Sequence, residues 1–380
     1  MANQKKTRVI AAMSGGVDSS VMAAMLVEQG YDVLGVTLNV EPALAAEEQV
    51  ERADACCSLG AVEDARRIAD KIGIPHYTLN FRDVFRRAVI DDFISEYRAG
   101  RTPNPCVRCN EHIKFEAVLH RLHGLDADCV ATGHFARKRV DLETGRHVLM
   151  HAIDQRKDQS YVLYVLNQDL LRRSMFPLGE MTKDEVRQKA REYGLAVADK
   201  PESQEICFVA NGDYGAFITR HVPDAGTPGP ILNGAGEQLG QHQGIVHYTI
   251  GQRRGLGLST GQALFVVGID PTRNAVLVGS EQDLYADGLV AERVNWISVD
   301  QPSEPIGCSV KIRYRAPEVP ATVEALADGR ARVRFDAPQK SVTPGQSVVF
   351  YRDDDVVGGG TILMAERNAR STAAPVSVSA

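Results

Sequence analysis

The chain has 380 residues, enough for two or three domains at roughly 150 residues each. It is 44% hydrophobic and 24% charged, a globular composition that excludes disorder throughout. Its formal net charge of −6 argues against a protein held to nucleic acid by bulk charge alone. No apolar run approaches the ~18 residues of a membrane span, and Val9–Met13 is too short for the core of a secretory leader. The 7 cysteines are odd in number and irregularly spaced, so they form no secreted disulfide framework. A cytoplasmic protein with no membrane partner is expected, its cysteines metal-binding, redox-active or buried.

Arg8–Met13 and Val33–Val40 are short apolar runs that predict buried parallel strands, with His76–Leu79 and Cys129–Ala131 as two more. Between them Val62, Ala65, Ala69 and Ile72 recur at helical spacing until Gly73 and Pro75, and Val84, Ala88, Val89 and Phe93 continue the pattern up to Gly100. Strands alternating with helices predict an α/β fold with a doubly wound parallel sheet. A hairpin with Glu143-Thr144-Gly145-Arg146 at its tip interrupts it. Lys183–Tyr193 is a further helix, N-capped by Thr182 and closed by Gly194.

After His221 the texture changes. Gly226 to Gly261 is rich in glycine and proline, which predicts a small loop-rich β domain. From Leu289 strict alternation predicts an antiparallel barrel or sandwich, with Val310, Ile312 and Tyr314 facing one way and Lys311, Arg313 and Arg315 the other. Asp328-Gly329 turns the chain between strands Thr322–Leu326 and Ala331–Phe335. The expected division is a catalytic domain over 1–220, a central β-rich domain over 221–285, a C-terminal antiparallel β-barrel over 286–368, and a disordered tail over 369–380.

The first strand ends in Ser14-Gly15-Gly16-Val17-Asp18-Ser19-Ser20, and Val21, Met22, Met25 and Leu26 then recur at helical spacing. A strand passing through a glycine turn into a helix N-terminus is an anion site. Glycines let backbone amides approach an oxyanion, and the orphan amides and dipole of the first helical turn favour negative charge. Asp18 is placed to hold Mg²⁺ on bound phosphates. No Gly-Lys-Ser/Thr follows, so this is not a Walker A loop, nor is it Gly-x-Gly-x-x-Gly. The string resembles the PP-loop of ATP pyrophosphatases of the adenine nucleotide α-hydrolase type. That resemblance implies cleavage between the α- and β-phosphates, with AMP passing to a substrate oxygen.

Arg101-Thr102-Pro103-Asn104-Pro105-Cys106-Val107-Arg108-Cys109-Asn110 reads as a proline-stiffened loop before a helix over Glu111–Leu122, and Cys207 follows much later. A cysteine near a helix N-terminus beside arginines has its thiolate stabilised. Three interpretations stay open at this point. The pair is half a zinc site completed by Cys56, Cys57 or a histidine. Or Cys106, Cys109 and Cys207 hold an iron–sulfur cluster. Or the thiols transfer sulfur. Cys129 and Cys308 read as core residues.

The combination of Ser14–Ser20 with Thr102–Asn110, Ala131-Thr132-Gly133-His134, Lys157-Asp158-Gln159-Ser160-Tyr161, Gln204-Glu205-Ile206-Cys207-Phe208 and Tyr248–Arg253 resembles the tRNA-specific 2-thiouridylases, and Arg313–Arg315 and Pro344–Gln346 extend the likeness to the third domain. The resemblance implies ATP-dependent adenylation of the C2 oxygen of the wobble uridine in a tRNA anticodon loop. Sulfur then arrives from a persulfide on Cys207, supplied by a donor or relay protein. Cys109 attacks that persulfide, which leaves the sulfur on the base and closes a Cys109–Cys207 disulfide.

By the same resemblance Ala12, Met13, Ser14, Gly15, Gly16, Val17, Asp18, Ser19, Leu38 and Gly133 bind ATP. Asn104, Pro105 and Cys106 contact the target base, while His134, Lys157, Asp158, Gln159, Arg313, Tyr314 and Gln346 touch tRNA. Better-known members carry Asp where this chain has Cys106. A thiol near pKa 8.5 is no direct substitute for a carboxylate, so the acid/base role does not carry over unchanged. The target base must leave its stack in the anticodon loop to reach a buried pocket. Rival functions are a PP-loop ligase acting on a small metabolite, which needs no cysteine pair, and a zinc-bearing RNA-binding protein, which needs no intact PP-loop.

Overall fold

The computed structural model describes residues 6–40, 59–201, 206–209, 212–259 and 261–367. Cys56, Cys57, Gln204, Glu205 and the 369–380 tail lie outside the described residues. In chain order the first unit contributes β1 (Arg8–Ala12), β2 (Asp32–Asn39), β3 (His76–Asn80), β4 (Cys129–Ala131), the hairpin β5 (Arg137–Val140) and β6 (His147–Met150), and β7 (Ser174–Met175). Strands β3-β2-β1-β4-β7 form one parallel sheet in that order. The interior strands β1 and β2 are apolar on both faces because helices cover both. β3 corrects the expectation of burial, since it is the sheet edge and its Tyr77 is half exposed. The two residues of β7 are too few to leave a sequence signal.

On one face pack α1 (Val17–Glu28), α2 (Leu59–Ile72) and the helix Lys183–Glu192, through Val21, Met22, Leu26, Ala65, Ala69, Val186 and Ala190. The helical runs 82–98 and 105–125 cover the other face with Phe85, Phe93, Ile113 and Val118. The second run begins at Pro105 and not at Glu111, which corrects the sequence expectation. Asn104 is its N-cap, accepting from the Val107 amide through its side chain, and proline occupies the first helical position. Cys106 and Cys109 therefore lie on the helix itself, and a π-helical stretch starts at Cys109.

The central unit is a four-stranded sheet of β8 (Gly229–Leu232), β9 (Gln238–His242), β10 (Phe265–Asp270) and β11 (Ala275–Gly279), in the order β10-β11-β8-β9. Its Ile231, Val266 and Val276 join the same apolar core as the 82–98 run. The third unit comprises β12 (Tyr285–Trp296), β13 (Ile306–Lys311), β14 (Val319–Ala325), β15 (Ala331–Lys340), β16 (Ser347–Arg352) and β17 (Asp355–Glu366). They run β12-β15-β14-β13-β16-β17, and pairing of β12 with β17 closes the barrel.

Two details differ from the alternation in the sequence. β13 ends at Lys311, so Arg313, Tyr314 and Arg315 sit in the bend that follows and not on a cationic strand face. The β5–β6 hairpin extends the barrel sheet, not the parallel one. Asp355 of β17 is in register with Met150, and Arg137 and Arg139 each reach a barrel carboxylate at 2.6 Å, those of Asp354 and Asp355.

Closure requires β17 to approach its neighbours closely. A Cβ on Gly359 would stand 2.6 Å from the Tyr164 ring and 2.7 Å from the Val348 carbonyl oxygen. Gly359→Ala should therefore destabilise the barrel by about 1–3 kcal/mol through overpacking, read as a lowered thermal unfolding midpoint. An unchanged midpoint would show that the closure tolerates the methyl group.

Candidate active site

The turn between β1 and α1 is built as a cradle. Gly15 has φ +68°, and a Cβ there would strike the Ala61 carbonyl at 2.3 Å, so only glycine fits. Ser19 and Ser20 turn their hydroxyls back to the Gly16 carbonyl at 3.2 and 2.7 Å, and the Ser14 amide donates to Ser19 Oγ at 3.1 Å. The first-turn amides of α1 have no intrahelical acceptor by helix geometry. Gly133 presses on this turn from behind: a Cβ there would lie 2.7 Å from the Ser19 nitrogen. The Met13 carbonyl accepts from Thr37 Oγ1 at 2.8 Å, which joins the loop to β2 one residue before Leu38.

Two lysines that the sequence reading did not single out point into the cradle. Lys183 Nζ meets Asp18 Oδ1 at 2.6 Å, and Lys200 Nζ reaches the Gly15 carbonyl at 3.3 Å and Asp64 at 2.8 Å. Lys183 is buried and opens its own helix, where the dipole repels a cation. A lysine directly after the Thr182 cap, ahead of Asp184 and Glu185, is the sequence signal for it. The cradle fits a polyphosphate, offering glycine backbone, hydroxyls and two cations. Asp18 also fits Mg²⁺, an ion held by one or two carboxylates together with phosphate oxygens.

The cysteine-bearing helix is fastened to the barrel. The Thr102 amide donates to the Pro344 carbonyl at 2.8 Å, and Gln346 Nε2 donates to the carbonyls of Thr102 at 2.9 Å and Pro103 at 3.3 Å. Gly345 (φ +88°) lies so close that a Cβ would stand 2.9 Å from Thr102. Arg101 bridges Glu96 and Glu292, each at 2.7 Å, while Arg108 pairs with Glu111 at 2.6 Å and donates to Thr361 Oγ1 at 3.2 Å. Both arginines anchor the segment.

Cys106 is exposed, and Cys109 and Cys207 are half-buried. Cys109 and Cys207 border the same apolar core, where Phe208 packs edge-on against Phe85 and Phe93. They are thiols, not a disulfide, in this structure. Among the described residues no group of three or more His, Cys, Asp or Glu side chains converges as a ligand set.

Family models match most of the chain: a tRNA methyl transferase HUP domain over residues 7–211, a tRNA methyl transferase PRC-barrel domain over 215–280 and an aminomethyltransferase β-barrel domain over 286–362. A tRNA-specific 2-thiouridylase MnmA of Symbiobacterium thermophilum is 53% identical over 360 residues, covering 94% of this chain and 92% of its own. One from Thermoanaerobacter pseudethanolicus, titled MnmA 1, is 52% identical over 97% of this chain and 100% of its own. The chain belongs to the tRNA-specific 2-thiouridylase family.

The positions that the 2-thiouridylase resemblance links to tRNA separate into two groups. Arg313, Tyr314 and Lys157 retain exposure, Lys157 only in part. His134 and Asp158 are buried, while Gln159 and Gln346, as partly exposed as Lys157, bond to the protein's own backbone. His134 is fully buried, hydrogen-bonded to Thr132 at 2.8 Å and stacked on Phe115; burial, helped by Lys114, pushes its pKa well below the usual value, so it is neutral. The Gln159 side chain accepts from the Phe135 amide at 3.0 Å. Asp158 is buried, accepting from the Ala152 amide at 2.8 Å and from Ser160 at 2.6 Å. Of the basic alternation in β15, Arg332 pairs with Glu366, and Arg330, just before the strand, pairs with Asp328.

Removing one partner of a fully buried ion pair costs about 3–5 kcal/mol. Asp18 keeps 31% of its side-chain exposure, so Lys183→Met should cost less, on the order of 1–3 kcal/mol. In a double-mutant cycle with Asp18→Asn, the losses should fall short of additive. Strict additivity in chemical denaturation would mean that the two side chains do not interact in solution.

Proposed function

We propose that this protein is a sulfurtransferase that replaces oxygen by sulfur at C2 of the wobble uridine of tRNA, in the cytoplasm, using ATP. The observation that carries this is the pairing of a phosphate cradle holding Asp18, Lys183 and Lys200 with a helix N-terminus bearing Cys106 and Cys109, Cys207 packing on the same core as Cys109. The relatives' titles support the thiolation chemistry. The methyl-transfer titles of two domain models do not account for a cradle of this kind.

The cradle takes the pyrophosphate half of ATP, so that Lys183, Lys200 and the α1 amides stabilise the charge that develops as the α–β bond breaks. Mg²⁺, beside Asp18, supplies further charge on those phosphates. Uridine O2 attacks the α-phosphorus and pyrophosphate departs, which turns a poor leaving group into AMP. Asn104, Pro105 and Cys106 frame the base. The terminal sulfur of a Cys207 persulfide, delivered by a donor protein, attacks C2 and AMP leaves with the old oxygen. Cys109 attacks the inner sulfur of Cys207, the sulfur stays on the base, and a Cys109–Cys207 disulfide forms that an external dithiol reduces. Arg313, Tyr314 and Lys157 meet the tRNA; His134, Asp158, Gln159 and Gln346 hold the segments that do.

Cys109→Ser and Cys207→Ser should each lower 2-thiouridine formation at least 1000-fold while retaining tRNA-dependent pyrophosphate release. Asp18→Ala should lose both, and Cys106→Asp should remain active. Nucleoside mass spectrometry of tRNA after incubation with ATP, Mg²⁺ and a persulfide donor checks this. Activity that tracks near-stoichiometric iron in anaerobic protein would replace the persulfide route by a cluster.

A further inference from the structure

A second cluster of titratable groups lies where the first unit meets the barrel, away from the cradle and the cysteines. His151, just after β6, is buried between two carboxylates. Its Nδ1 lies 3.1 Å from Asp158 Oδ2 and its Nε2 lies 3.1 Å from Glu318 Oε1. Asp158 belongs to the first unit, in the Lys157–Gln159 turn, and Glu318 to the barrel, just before β14. The ring stacks on Tyr351 of β16, with centroids 4.4 Å apart and 10° between planes. Ser160 donates to Asp158 at 2.6 Å and lies 3.3 Å from the Tyr351 hydroxyl, and Ser309 of β13 donates to Glu318 at 2.6 Å.

A neutral imidazole has one donor and one acceptor nitrogen, so it satisfies one carboxylate and turns a lone pair on the other. Only the doubly protonated ring donates to both. We propose that His151 is a positioning residue that works as a buried imidazolium, tying the barrel to the 157–159 turn and so fixing the face that this turn presents to tRNA. The tRNA half of this proposal rests on the function proposed above.

The surrounding charges support it. Burial alone pushes the imidazole pKa down, but hydrogen bonds to Asp158 and Glu318 and the charges of both outweigh it, leaving the pKa at about 9. Lys311 acts on Glu318 from β13. On the other side Arg137 donates to the His151 carbonyl at 2.6 Å and is itself paired with Asp354, whose carbonyl accepts the His151 amide. A folded-state pKa raised from 6.5 to about 9 means that the tie's contribution to stability is full below about pH 6.5 and is lost progressively as pH rises to about 9.

The test uses the full chain in three variants: His151→Gln, Glu318→Gln and the double substitution. The wild-type trio carries −1 overall, the first variant −2 and the double variant −1 again, so restored charge is separated from lost packing. In ¹⁵N-histidine NMR the resonances that vanish in His151→Gln should be those of a doubly protonated ring at pH 7.5, converting near pH 9. Trp296, the sole tryptophan, reports the interface independently, because Arg146 at the hairpin tip donates to its carbonyl. His151→Gln should shift Trp296 emission and raise the KM for tRNA at least tenfold with kcat changed less than twofold, and the double variant should recover at least a third of the KM increase on a logarithmic scale.

A neutral ring at pH 7.5 overturns the imidazolium. An unchanged KM in His151→Gln, or equal KM values in the single and double variants, overturns the positioning role. Wild-type protein that binds no tRNA would instead count against the proposed function and remove the tRNA half of the proposal, while the NMR and Trp296 arms still decide whether the imidazolium ties the two units.

Discussion

Two hydrogen bonds from Gln346 and one from the Thr102 amide hold the 101–105 turn against the barrel, and the positions of Cys106 and Cys109 follow from them. The segment lies in no sheet, so these bonds, with the Arg101–Glu292 and Arg108–Thr361 contacts, fix where the helix starting at Pro105 points. The Gln346 contact spans 244 residues of sequence. Loop-closure entropy grows only logarithmically with such a separation. What the contact demands is that the barrel already be closed, because Pro344, Gly345 and Gln346 precede β16 and Thr361 belongs to β17. Chemistry on the first unit therefore depends on the fold of the third, although the third carries none of the proposed reacting groups.

The same dependence governs the charges. Arg101 and Arg108 flank the two cysteines, but their guanidinium groups are committed to Glu96, Glu292 and Glu111. A paired cation does little for a nearby thiolate. The helix N-terminus, where Cys106 sits in the first turn, also favours an anion. At the cradle the order is reversed. Lys183 is bound to Asp18 before any phosphate arrives, so a polyanion entering there competes with a carboxylate already in place. Burying a lone lysine at a helix N-terminus is unfavourable twice over, and Asp18 offsets both penalties until phosphate oxygens replace it.

The elements that the sequence disclosed are those whose cause is local. Continuous apolar runs revealed β1 and β2, the Thr182 cap and Gly194 bounded their helix, and Asp328-Gly329 marked its hairpin. The glycine loop was legible because strand, glycines and helix occur within one stretch. The departures have two origins. A helix start at Glu111 overlooks a local signal, since Asn104-Pro105 already spell an N-cap and first helical position. The alternation through Arg315 suggested a longer strand, whereas β13 stops at Lys311, and the turn closing on Ala316 leads into Pro317, which has no amide to offer a ladder. Lys200, the Gln346 staple and the His151–Glu318 contact depend on pairings across more than 100 residues. A single sequence contains no period or spacing that announces them.

Burial also acts unevenly on the chemistry of the cysteines. Cys129 opens β4 and donates to Met175 sulfur at 3.4 Å; burial, with Asp128 nearby, pushes its pKa to about 11. Cys308 in β13 is pushed by burial to about 12, Arg352 offsetting only part of it. At pH 7.5 a thiol with a pKa near 11 is ionised in only ~1 molecule in 3,000, and one near 12 about tenfold less often. Thiolate is the reactive form in persulfide exchange, so burial holds both mainly as the less reactive thiol. Cys106 is open to solvent, while Cys109 and Cys207 are half-buried, as Cys129 and Cys308 are, but at the edge of an aromatic cluster. The contrast among these five cysteines is one of placement: Cys129 and Cys308 lie in β-strands where burial raises their pKa, whereas Cys106 and Cys109 lie on the helix that begins at Pro105.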